Sequence, residues 1–175
     1  MRSLGIDVGD TRTGVAISDP QGILAIPLTV LASKDEDAVI DEILKLVEQY
    51  EAERIVVGLP RLLNGELGKQ ASKATAFAEK LSLRAEAASQ RRGRKQSNLN
   101  QLDVQLWDEW LSTKAAESLM METVGGKGSR PRSMIRKGAK NYRSSPKAKV
   151  DAVAAAFILQ GFLDSVRDKE QCQSQ

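Results

Sequence analysis

Hydrophobic positions along the chain follow two different periods, which separate predicted strands from predicted helices. Three short apolar runs, at 4–8, 14–18 and 23–31, open the sequence, and Gly, Asp and Pro residues separate them. Such runs between turn residues predict three consecutive strands joined by hairpins. A β-branched run at 54–59 predicts a fourth strand with the composition of a buried parallel strand, and residues 104–107 predict a fifth strand.

Helical periodicity appears between and after these strands. In residues 35–51 apolar side chains recur four residues apart on one face, and Ser33 with Glu36 predicts a capping box at the start. Further helices are predicted at 69–83, 113–123 and 149–166. This order of elements indicates the α/β class: a mixed five-stranded sheet flanked by helices on both faces.

Residues 1–166 are predicted to form a single domain, as their length allows. Two polar, basic segments without periodicity, 84–102 and 124–149, are predicted to be insertions in this domain. The glycines and prolines of 124–149 favour a loop. Residues 167–175 are expected to be a flexible tail.

Composition excludes several kinds of catalytic site. The chain has 175 residues, no histidine and one cysteine, Cys172. Without histidine there is no Ser-His-Asp or Cys-His nucleophile and no His-ligated zinc, and a lone cysteine excludes a disulfide framework. The sequence also lacks a membrane-length apolar run and the features of a signal peptide. We therefore expect a cytoplasmic protein with no membrane partner, whose chemistry depends on carboxylates, lysine, hydroxyls or metal ions.

The net charge of +3 is unevenly distributed along the chain. Residues 1–83 contain nine Lys or Arg against thirteen Asp or Glu, whereas 127–149 contain nine Lys or Arg and no acid. Basic segments on an acidic-leaning body are typical of proteins that bind a polyanion, although a solvated basic loop has the same composition. The residues expected to contact nucleic-acid phosphates are Arg12, Arg61, Lys69, Arg130, Arg132, Arg136 and Lys137.

Asp7 lies inside the apolar run GIDVG of the first predicted strand. A carboxylate in such a run is costly to bury unless it is paired, hydrogen-bonded or bound to a metal. Gly9 leaves the neighbouring backbone open to the approach of a ligand. A strand-end aspartate that makes a turn with Thr11 explains the same residue equally well.

Three further acids also have two interpretations each. Asp108 and Glu109 end the fifth predicted strand, where side chains alternate, so one faces a site and the other faces solvent. Alternatively, this pair precedes a helix and interacts with its dipole. Asp151 lies in the first turn of the last helix, beside alanines that let the helix approach the sheet closely. For Asp151 alone, a simple helix N-terminal acid is the commoner explanation.

Considered together, Asp7, Glu109 and Asp151 favour one shared site for divalent metal ions. Ligands gather at the carboxyl ends of strands in an α/β sheet, and these acids come from two strand ends and a helix packed on the same sheet. Carboxylate oxygens without nitrogen or sulfur ligands suit Mg²⁺ or Mn²⁺. Two such ions about 3.5–4 Å apart support phosphodiester hydrolysis without histidine. The sequence thus predicts a two-metal hydrolase acting on ester bonds.

Four segments of the chain carry a family resemblance. They are LGIDVGDTRTGVAISDPQGILAIPL, IVVGLPRLLNGELGKQASKATAFAEKL, LWDEWLSTKAAE and KVDAVAAAFILQGFLD. In this order they resemble the YqgF family of Holliday-junction resolvases and pre-16S rRNA nucleases. The resemblance implies the ribonuclease H-like fold and an acidic site formed by Asp7, Glu109 and Asp151, with Asp108 adjacent as a fourth catalytic residue. It also implies cleavage of structured RNA, in 5′-end processing of pre-16S rRNA on pre-ribosomal particles, or of branched DNA.

Two positions depart from the pattern of the YqgF family. The Arg that follows Asp-Glu is Trp110 here, and the Asn after Gly-Leu-Pro is Leu62. The family's Arg could orient a carboxylate or a phosphate. Its loss, together with the two basic insertions, favours a competing hypothesis, a non-catalytic module that binds RNA or the ribosome.

A second alternative comes from the first hairpin. The segment DVGDTRTG also resembles the phosphate-binding hairpin of the sugar kinase, actin and chaperone ATPases. Those proteins close two such domains around ATP, and a chain of 175 residues has room for one. A nucleotide-binding, ATPase-like domain is therefore the weaker alternative.

Overall fold

The computed structural model of the protein describes residues 1–60, 68–92, 102–109 and 146–173. These ranges contain one sheet of five strands: β1 (Ser3–Val8), β2 (Thr13–Ser18), β3 (Ala25–Leu31), β4 (Arg54–Pro60) and β5 (Asp103–Glu109). They also contain three helices: α1 (Glu36–Tyr50), α2 (Lys69–Arg92) and α3 (Pro146–Gln173). The predicted α/β class with a five-stranded sheet is confirmed.

The strands lie in the order β3-β2-β1-β4-β5. The first three form an antiparallel meander, as predicted, whereas β1, β4 and β5 are parallel, so the sheet is mixed. The ends of β1, β4 and β5 therefore meet at one edge of the sheet, which we name the carboxyl edge. Their starts meet at the opposite edge, the amino edge. In α/β sheets, ligands bind outside the carboxyl ends of the strands.

Helices cover both faces of the sheet, as predicted. On one face α1 and α2 bury their apolar sides, with Ile6, Ile43 and Phe77 among the largest buried side chains. On the other face α3 packs against the sheet, and Leu159 and Val56 are fully buried there. No helix in the described ranges has the length and apolar character of a membrane span.

The capping box predicted from Ser33 and Glu36 is wrong. Asp35 is the N-cap residue of α1, and its carboxylate accepts hydrogen bonds from the backbone N–H groups of Asp37 (3.0 Å) and Ala38 (3.5 Å). Ser33 accepts instead from the backbone N–H of Asp35, at 3.0 Å. The charged side chain of Asp35 lies two residues nearer to the helix, where it also interacts favourably with the helix dipole.

Two strand boundaries, the start of β3 and the end of β5, differ by two residues from their predicted positions. β3 begins at Ala25 because the preceding Ile23 and Leu24 donate backbone hydrogen bonds to Asp19 Oδ1, at 2.6 and 3.1 Å, and form a turn. β5 is longer than the predicted 104–107, since its pairing with β4 continues to Glu109.

α2 continues through residues 84–92, which were predicted to begin a polar insertion without regular structure. The buried side of this extension consists of small residues: Ala85 and Ser89 are buried one and two turns after Leu81. Arg84 also forms ion pairs with two aspartates of α1. Alanine and serine contribute little hydrophobic signal, so the helical period was not evident in the sequence.

α3 is longer at both ends than the predicted 149–166. It begins at Pro146, a residue favoured in the first turn of a helix, and runs to Gln173 through most of the predicted flexible tail. Arg167 stabilises this extension by an ion pair with Asp164, one turn earlier. The predictions for 93–101, 113–123 and 124–145 lie outside the described residues.

Candidate functional site

Asp7 lies at the carboxyl edge of β1, on the face of the sheet that α3 covers. A Cβ on Gly5, two residues earlier, would lie only 2.6 Å from Leu159 Cβ of α3, and strand residues two apart share a face. The Asp7 side chain is partly buried. Its burial and, to a smaller extent, the charge of Asp151 raise the pKa of Asp7 from 3.8 to about 6.

Gly14 allows Asp151 of α3 to approach Asp7. Gly14 is the Cα partner of Asp7 in the β1–β2 ladder, so their Cα atoms lie about 5 Å apart. A Cβ on Gly14 would lie 2.0 Å from the backbone oxygen of Asp151, so only glycine permits this contact. The two acids expected at one site from the sequence, 144 positions apart by their numbers, are brought together here.

Arg12 supplies a positive charge to these acids. Its Nε lies 2.8 Å from Asp151 Oδ2, and the side chains of Arg12 and Asp151 remain 36% and 25% exposed. The distance is short but the contact is not a hydrogen bond, because that buried oxygen accepts none from the described residues. The interaction is therefore coulombic, and it leaves a lone pair of Asp151 Oδ2 unsatisfied.

The turn between β1 and β2 holds Arg12 beside the acids. The Gly9 N–H donates to the carbonyl oxygen of Arg12 at 3.0 Å. From α2, Lys73 Nζ donates to the carbonyl oxygen of Gly9 at 2.9 Å and to Asp10 Oδ1 at 3.2 Å. Gln70, one turn earlier in α2, donates to Asp10 at 3.5 Å. The start of α2 therefore fixes the position of this turn.

Asp108 and Glu109 end β5 at the same edge, opposite Leu59 and Pro60 of β4. Position 109 has the same strand parity as Trp107, which packs against α3, and position 108 has the opposite parity. The Asp108 side chain is exposed, and the side chain of Glu109 lies outside the described part of the chain. The backbone thus places both residues at the edge that carries Asp7.

Asp7 and Asp151 fit the chemistry of a divalent-cation site. Among the side chains that the structure describes, no three acids form a metal cluster, so these two are a partial ligand set. Their oxygens are hard donors, which Mg²⁺ and Mn²⁺ prefer. A buried oxygen without a hydrogen bond and a carboxylate with a raised pKa both indicate that additional positive charge would stabilise the pair.

Two of the seven predicted phosphate-binding residues lie at the carboxyl edge. Arg12 contacts Asp151, and Lys69 begins α2 with an exposed side chain, one turn before Lys73. The other five predicted phosphate-binding residues lie outside the described ranges: Arg61, Arg130, Arg132, Arg136 and Lys137. The two departures from the family pattern, Leu62 and Trp110, also lie outside them.

Sequence reasoning missed the contributions of Gly14 and Lys73. A glycine inside a strand pattern is a signal of close backbone approach, so the sequence offered a means to find Gly14. Lys73 shares a helical face with Lys69, but nothing in its position indicated that it contacts the β1–β2 turn.

The amino-acid sequence is similar to those of known proteins. A family model described as "RuvX: Holliday junction resolvase" matches residues 1–165. The chain is 37% identical over 166 residues to a protein of Clostridium botulinum (strain Hall) named "Putative pre-16S rRNA nuclease", which covers 95% of this chain and 98% of the relative. A protein of the same name from Clostridium acetobutylicum is also 37% identical, over 95% of this chain and all of the relative (100%).

The fold is similar to that of solved resolvase structures. Thermus thermophilus RuvC in complex with a Holliday junction substrate superposes with a TM-score of 0.52 at 15% identity, covering 95% of this chain and 96% of that chain. A second structure of Thermus thermophilus RuvC gives a TM-score of 0.50 at 14% identity, with the same coverage. The ribonuclease H-like fold implied by the sequence motifs is confirmed.

Proposed function

The chain belongs to the RuvX family of Holliday junction resolvases, and from this premise we propose that it is a divalent-metal-dependent nuclease that hydrolyses phosphodiester bonds in structured nucleic acid. Pre-16S rRNA is the first proposed substrate, because the curated relatives at 37% identity are named as nucleases of that RNA. Branched DNA is the second proposed substrate, because the family model is described as a Holliday junction resolvase. The proposed place of action is the cytoplasm.

The observation that carries this proposal is the meeting of Asp7 and Asp151 at the carboxyl edge. Two carboxylates at a partly buried site repel each other, and the proximity of Asp151 contributes to the raised pKa of Asp7. Arg12 neutralises part of this charge without donating a hydrogen bond to Asp151 Oδ2. Such an arrangement destabilises the fold, and a cation-binding role explains why the chain contains it.

We assign Asp7, Glu109 and Asp151 as ligands of Mg²⁺ or Mn²⁺. Divalent ions bound there would act as Lewis acids on the phosphate, acidify a water molecule and stabilise the leaving oxygen. Asp108 precedes Glu109 at the end of β5 with the opposite strand parity, and it is the fourth proposed catalytic residue. Position 109 has the strand parity of the α3 face, which supports Glu109 as the third ligand.

The basic residues hold the nucleic-acid backbone against this edge. Arg12 and Lys69 lie there, and Arg61 is expected to follow the end of β4. The basic stretch 127–149 adds a proposed phosphate clamp: Arg130, Arg132, Arg136 and Lys137. Contacts of this kind give an affinity that falls with salt and carries little sequence preference.

A comparison of cleavage by the wild-type protein and by Asp7→Asn tests the proposed catalysis. The purified protein is incubated with Mn²⁺ or Mg²⁺ and either a labelled pre-16S rRNA fragment or a four-way DNA junction. We expect the wild-type protein to cut at least one of these substrates, Asp7→Asn to cut neither, and binding to persist in both proteins. Asn removes the anionic ligand while the side chain keeps its size.

Asp19→Asn is the matched control for this test. Asp19 lies at the amino edge, and an asparagine can still accept hydrogen bonds from Ile23 and Leu24. This variant should therefore cut like the wild-type protein. A wild-type protein that binds both substrates but cuts neither, with either metal, would make the chain a binding module. Cleavage of the RNA alone or of the junction alone decides between the two proposed substrates.

A further inference from the structure

Arg12 lies beside Asp151, one of the acids that the proposed function assigns as metal ligands. Its Nε is 2.8 Å from Asp151 Oδ2, an oxygen that accepts no hydrogen bond from the described residues. The same residue is a proposed phosphate contact. One guanidinium group therefore has two alternative anionic partners at a single site, an aspartate and a phosphate.

We propose that Arg12 is an exchangeable counter-ion: it neutralises Asp151 in the metal-free protein, leaves it when a divalent cation binds, and then binds a phosphate of the nucleic acid. This inference rests on the proposed function, since it concerns the regulation of the same site. It adds that the affinity for the metal and the affinity for nucleic acid are coupled through one side chain.

The contact between Arg12 and Asp151 has the properties that an exchange requires. It lacks hydrogen-bond geometry, so its stabilisation is coulombic and a divalent cation can replace it with twice the charge. The Arg12 side chain is 36% exposed, so it can leave without unpacking the core. A buried bidentate pair would resist this displacement far more strongly.

Hydrogen bonding within the turn holds the backbone of Arg12, whereas its side chain is partly exposed and can change its conformation. The carbonyl oxygen of Arg12 accepts from Gly9 N–H at 3.0 Å, and Lys73 holds Gly9 and Asp10 from α2. A guanidinium released from Asp151 therefore remains within a side-chain length of the site. It meets the phosphate backbone at the edge where Asp7 and Asp151 lie.

Exchange makes two binding equilibria reciprocal. When Arg12 leaves Asp151, metal binding includes the loss of an ion pair, so the pair weakens the affinity for the metal. When phosphate binds the released Arg12, this loss is compensated, so nucleic acid strengthens the affinity for the metal. By linkage, the metal strengthens the affinity for nucleic acid by the same factor.

The first experiment measures the affinity for Mn²⁺ alone by isothermal titration at pH 7.5. Arg12→Ala should bind Mn²⁺ about fivefold to tenfold more tightly than the wild-type protein, as expected for the loss of one partly exposed ion pair. Arg84→Ala is the matched control, because it removes the same charge from an ion-paired arginine that is 43% exposed on the other face of the sheet. Its affinity should stay within about twofold of wild type. Arg12→Gln replaces Arg12→Ala if the alanine variant does not fold.

The second experiment measures binding of a fluorescent four-way DNA junction with EDTA or with Ca²⁺, a hard divalent probe of carboxylate sites. In the wild-type protein Ca²⁺ should raise the affinity and steepen the salt dependence by about one phosphate contact. In Arg12→Ala the salt slopes with and without Ca²⁺ should be equal, and the gain in affinity should fall by the factor measured for Mn²⁺. Arg84→Ala should retain both changes.

The exchange is overturned if Arg12→Ala binds Mn²⁺ no more tightly than Arg84→Ala, or if its salt slope still responds to Ca²⁺. These results leave the proposed nuclease standing, provided that the wild-type protein cuts. Conversely, tighter Mn²⁺ binding by Arg12→Ala in a protein that never cuts supports the exchange and refutes the nuclease. If the wild-type protein and both variants bind no Mn²⁺, the exchange and the metal-dependent nuclease both fail.

Discussion

Two arginine–aspartate pairs stand at opposite edges of the sheet with the same separation between their atoms. At the amino edge, Arg54 Nε donates to Asp103 Oδ2 at 2.8 Å, and Gln105 donates to the same oxygen at 2.6 Å. At the carboxyl edge, Arg12 Nε also lies 2.8 Å from Asp151 Oδ2, but no described residue donates a hydrogen bond to that oxygen. Although the two distances are equal, Asp103 Oδ2 accepts two hydrogen bonds, whereas Asp151 Oδ2 accepts none from the described residues.

This difference separates a structural pair from a functional one. Arg54 is held in place on both sides, by Asp103 and by the ring of Phe162, whose centroid lies 5.3 Å from the guanidinium carbon. Within the described part of the chain Arg12 pairs with Asp151, and a second carboxylate, Asp7, lies nearby with a raised pKa. Satisfied polar groups rigidify a fold, whereas buried polar groups left partly satisfied mark sites where a ligand completes the set.

The largest expected effect comes from neutralising the aspartate at each edge. Asp151→Asn should lower the cleavage rate by about a thousandfold or more, since it removes a proposed metal ligand, equivalent to about 4 kcal/mol in the barrier. Asp103→Asn should leave cleavage unchanged but lower the free energy of unfolding by about 0.5–1 kcal/mol, because the Arg54 pair is partly exposed. Single-turnover cleavage and urea denaturation measure the two quantities. Equal losses of activity in both variants would remove the distinction between the edges.

Two glycines test whether the carboxyl edge depends on the close approach of α3. Gly14→Ala should destabilise the protein by about 2–4 kcal/mol, because its Cβ would lie 2.0 Å from the backbone oxygen of Asp151 and α3 would have to shift. Cleavage should fall even where the variant is folded, since Asp151 moves away from Asp7. Thermal denaturation and cleavage assays of the folded fraction separate the two losses.

Gly161→Ala, within α3 itself, is the control for this substitution. Among the described residues its Cβ would meet Trp107 Nε1 at 3.5 Å, an ordinary contact. Alanine favours a helix over glycine, so this variant should be more stable by about 0.5–1 kcal/mol with unchanged cleavage. A Gly14→Ala protein as stable as Gly161→Ala would show that α3 does not press on β2.

The sequence predicted the fold better than its boundaries. Strand alternation and helical period depend on local hydrophobic pattern, so all five strands and the mixed sheet were identified. The extension of α2 was missed because its buried side consists of small residues such as Ala85 and Ser89. The α1 cap was misplaced because Ser33 and Asp35 are both good caps, and only the backbone geometry selects Asp35.

The candidate site was predicted in its acids but not in its supporting contacts. Asp7 and Asp151 were expected to meet because carboxylates are conspicuous in apolar elements. The ion pair of Arg12 with Asp151 and the anchoring of Gly9 by Lys73 join distant segments, and no local pattern encodes such contacts. They follow from the topology, which brings the start of α2 and the first turns of α3 to the same edge.

The pH dependence of the metal-free protein distinguishes the two edges by sign. Because the pKa of Asp7 is raised to about 6 in the folded state, the stability present below pH 3.8 is lost as the pH rises from about 4 through 6. Asp7→Asn removes this loss and should raise the free energy of unfolding at pH 7.5 by about 2 kcal/mol. Urea denaturation in EDTA at pH 4.5 and 7.5 tests this, and equal gains at both pH values would contradict it.

Asp19, at the amino edge, should show the opposite dependence. Backbone hydrogen bonds, first from Leu24 and then from Ile23, lower the pKa of its exposed carboxylate. Its contribution to stability is therefore present above its ordinary pKa and is lost as the pH falls through the lowered one. Asp19→Asn should narrow the difference in the free energy of unfolding between neutral and acidic pH. Asp7→Asn should instead remove the loss of stability that occurs as the pH rises from about 4 through 6. If Asp19→Asn instead raises the free energy of unfolding at pH 7.5, the sign of the pH dependence of stability does not depend on the edge.

The smallest effect concerns two lysines of α2 that differ in what they hold. Lys73 fixes the turn that carries Arg12, whereas Lys80, seven residues further along α2, pairs with Glu36 and Asp37 of α1. Lys73→Met should lower kcat by about tenfold with KM nearly unchanged, since it loosens the turn beside Asp7 without removing a ligand, about 1.4 kcal/mol in the barrier. Lys80→Met should leave kcat unchanged.

Stability separates a positioning role from a merely structural one in this pair of lysines. Each variant loses partly exposed polar contacts, so each should lower the free energy of unfolding by less than about 1 kcal/mol. Lys73→Arg, which can still donate to the carbonyl oxygen of Gly9, should recover most of the lost kcat. If Lys73→Met cuts as fast as Lys80→Met, the Gly9–Arg12 hydrogen bond alone is sufficient to hold the turn, and the contact from α2 adds nothing to catalysis.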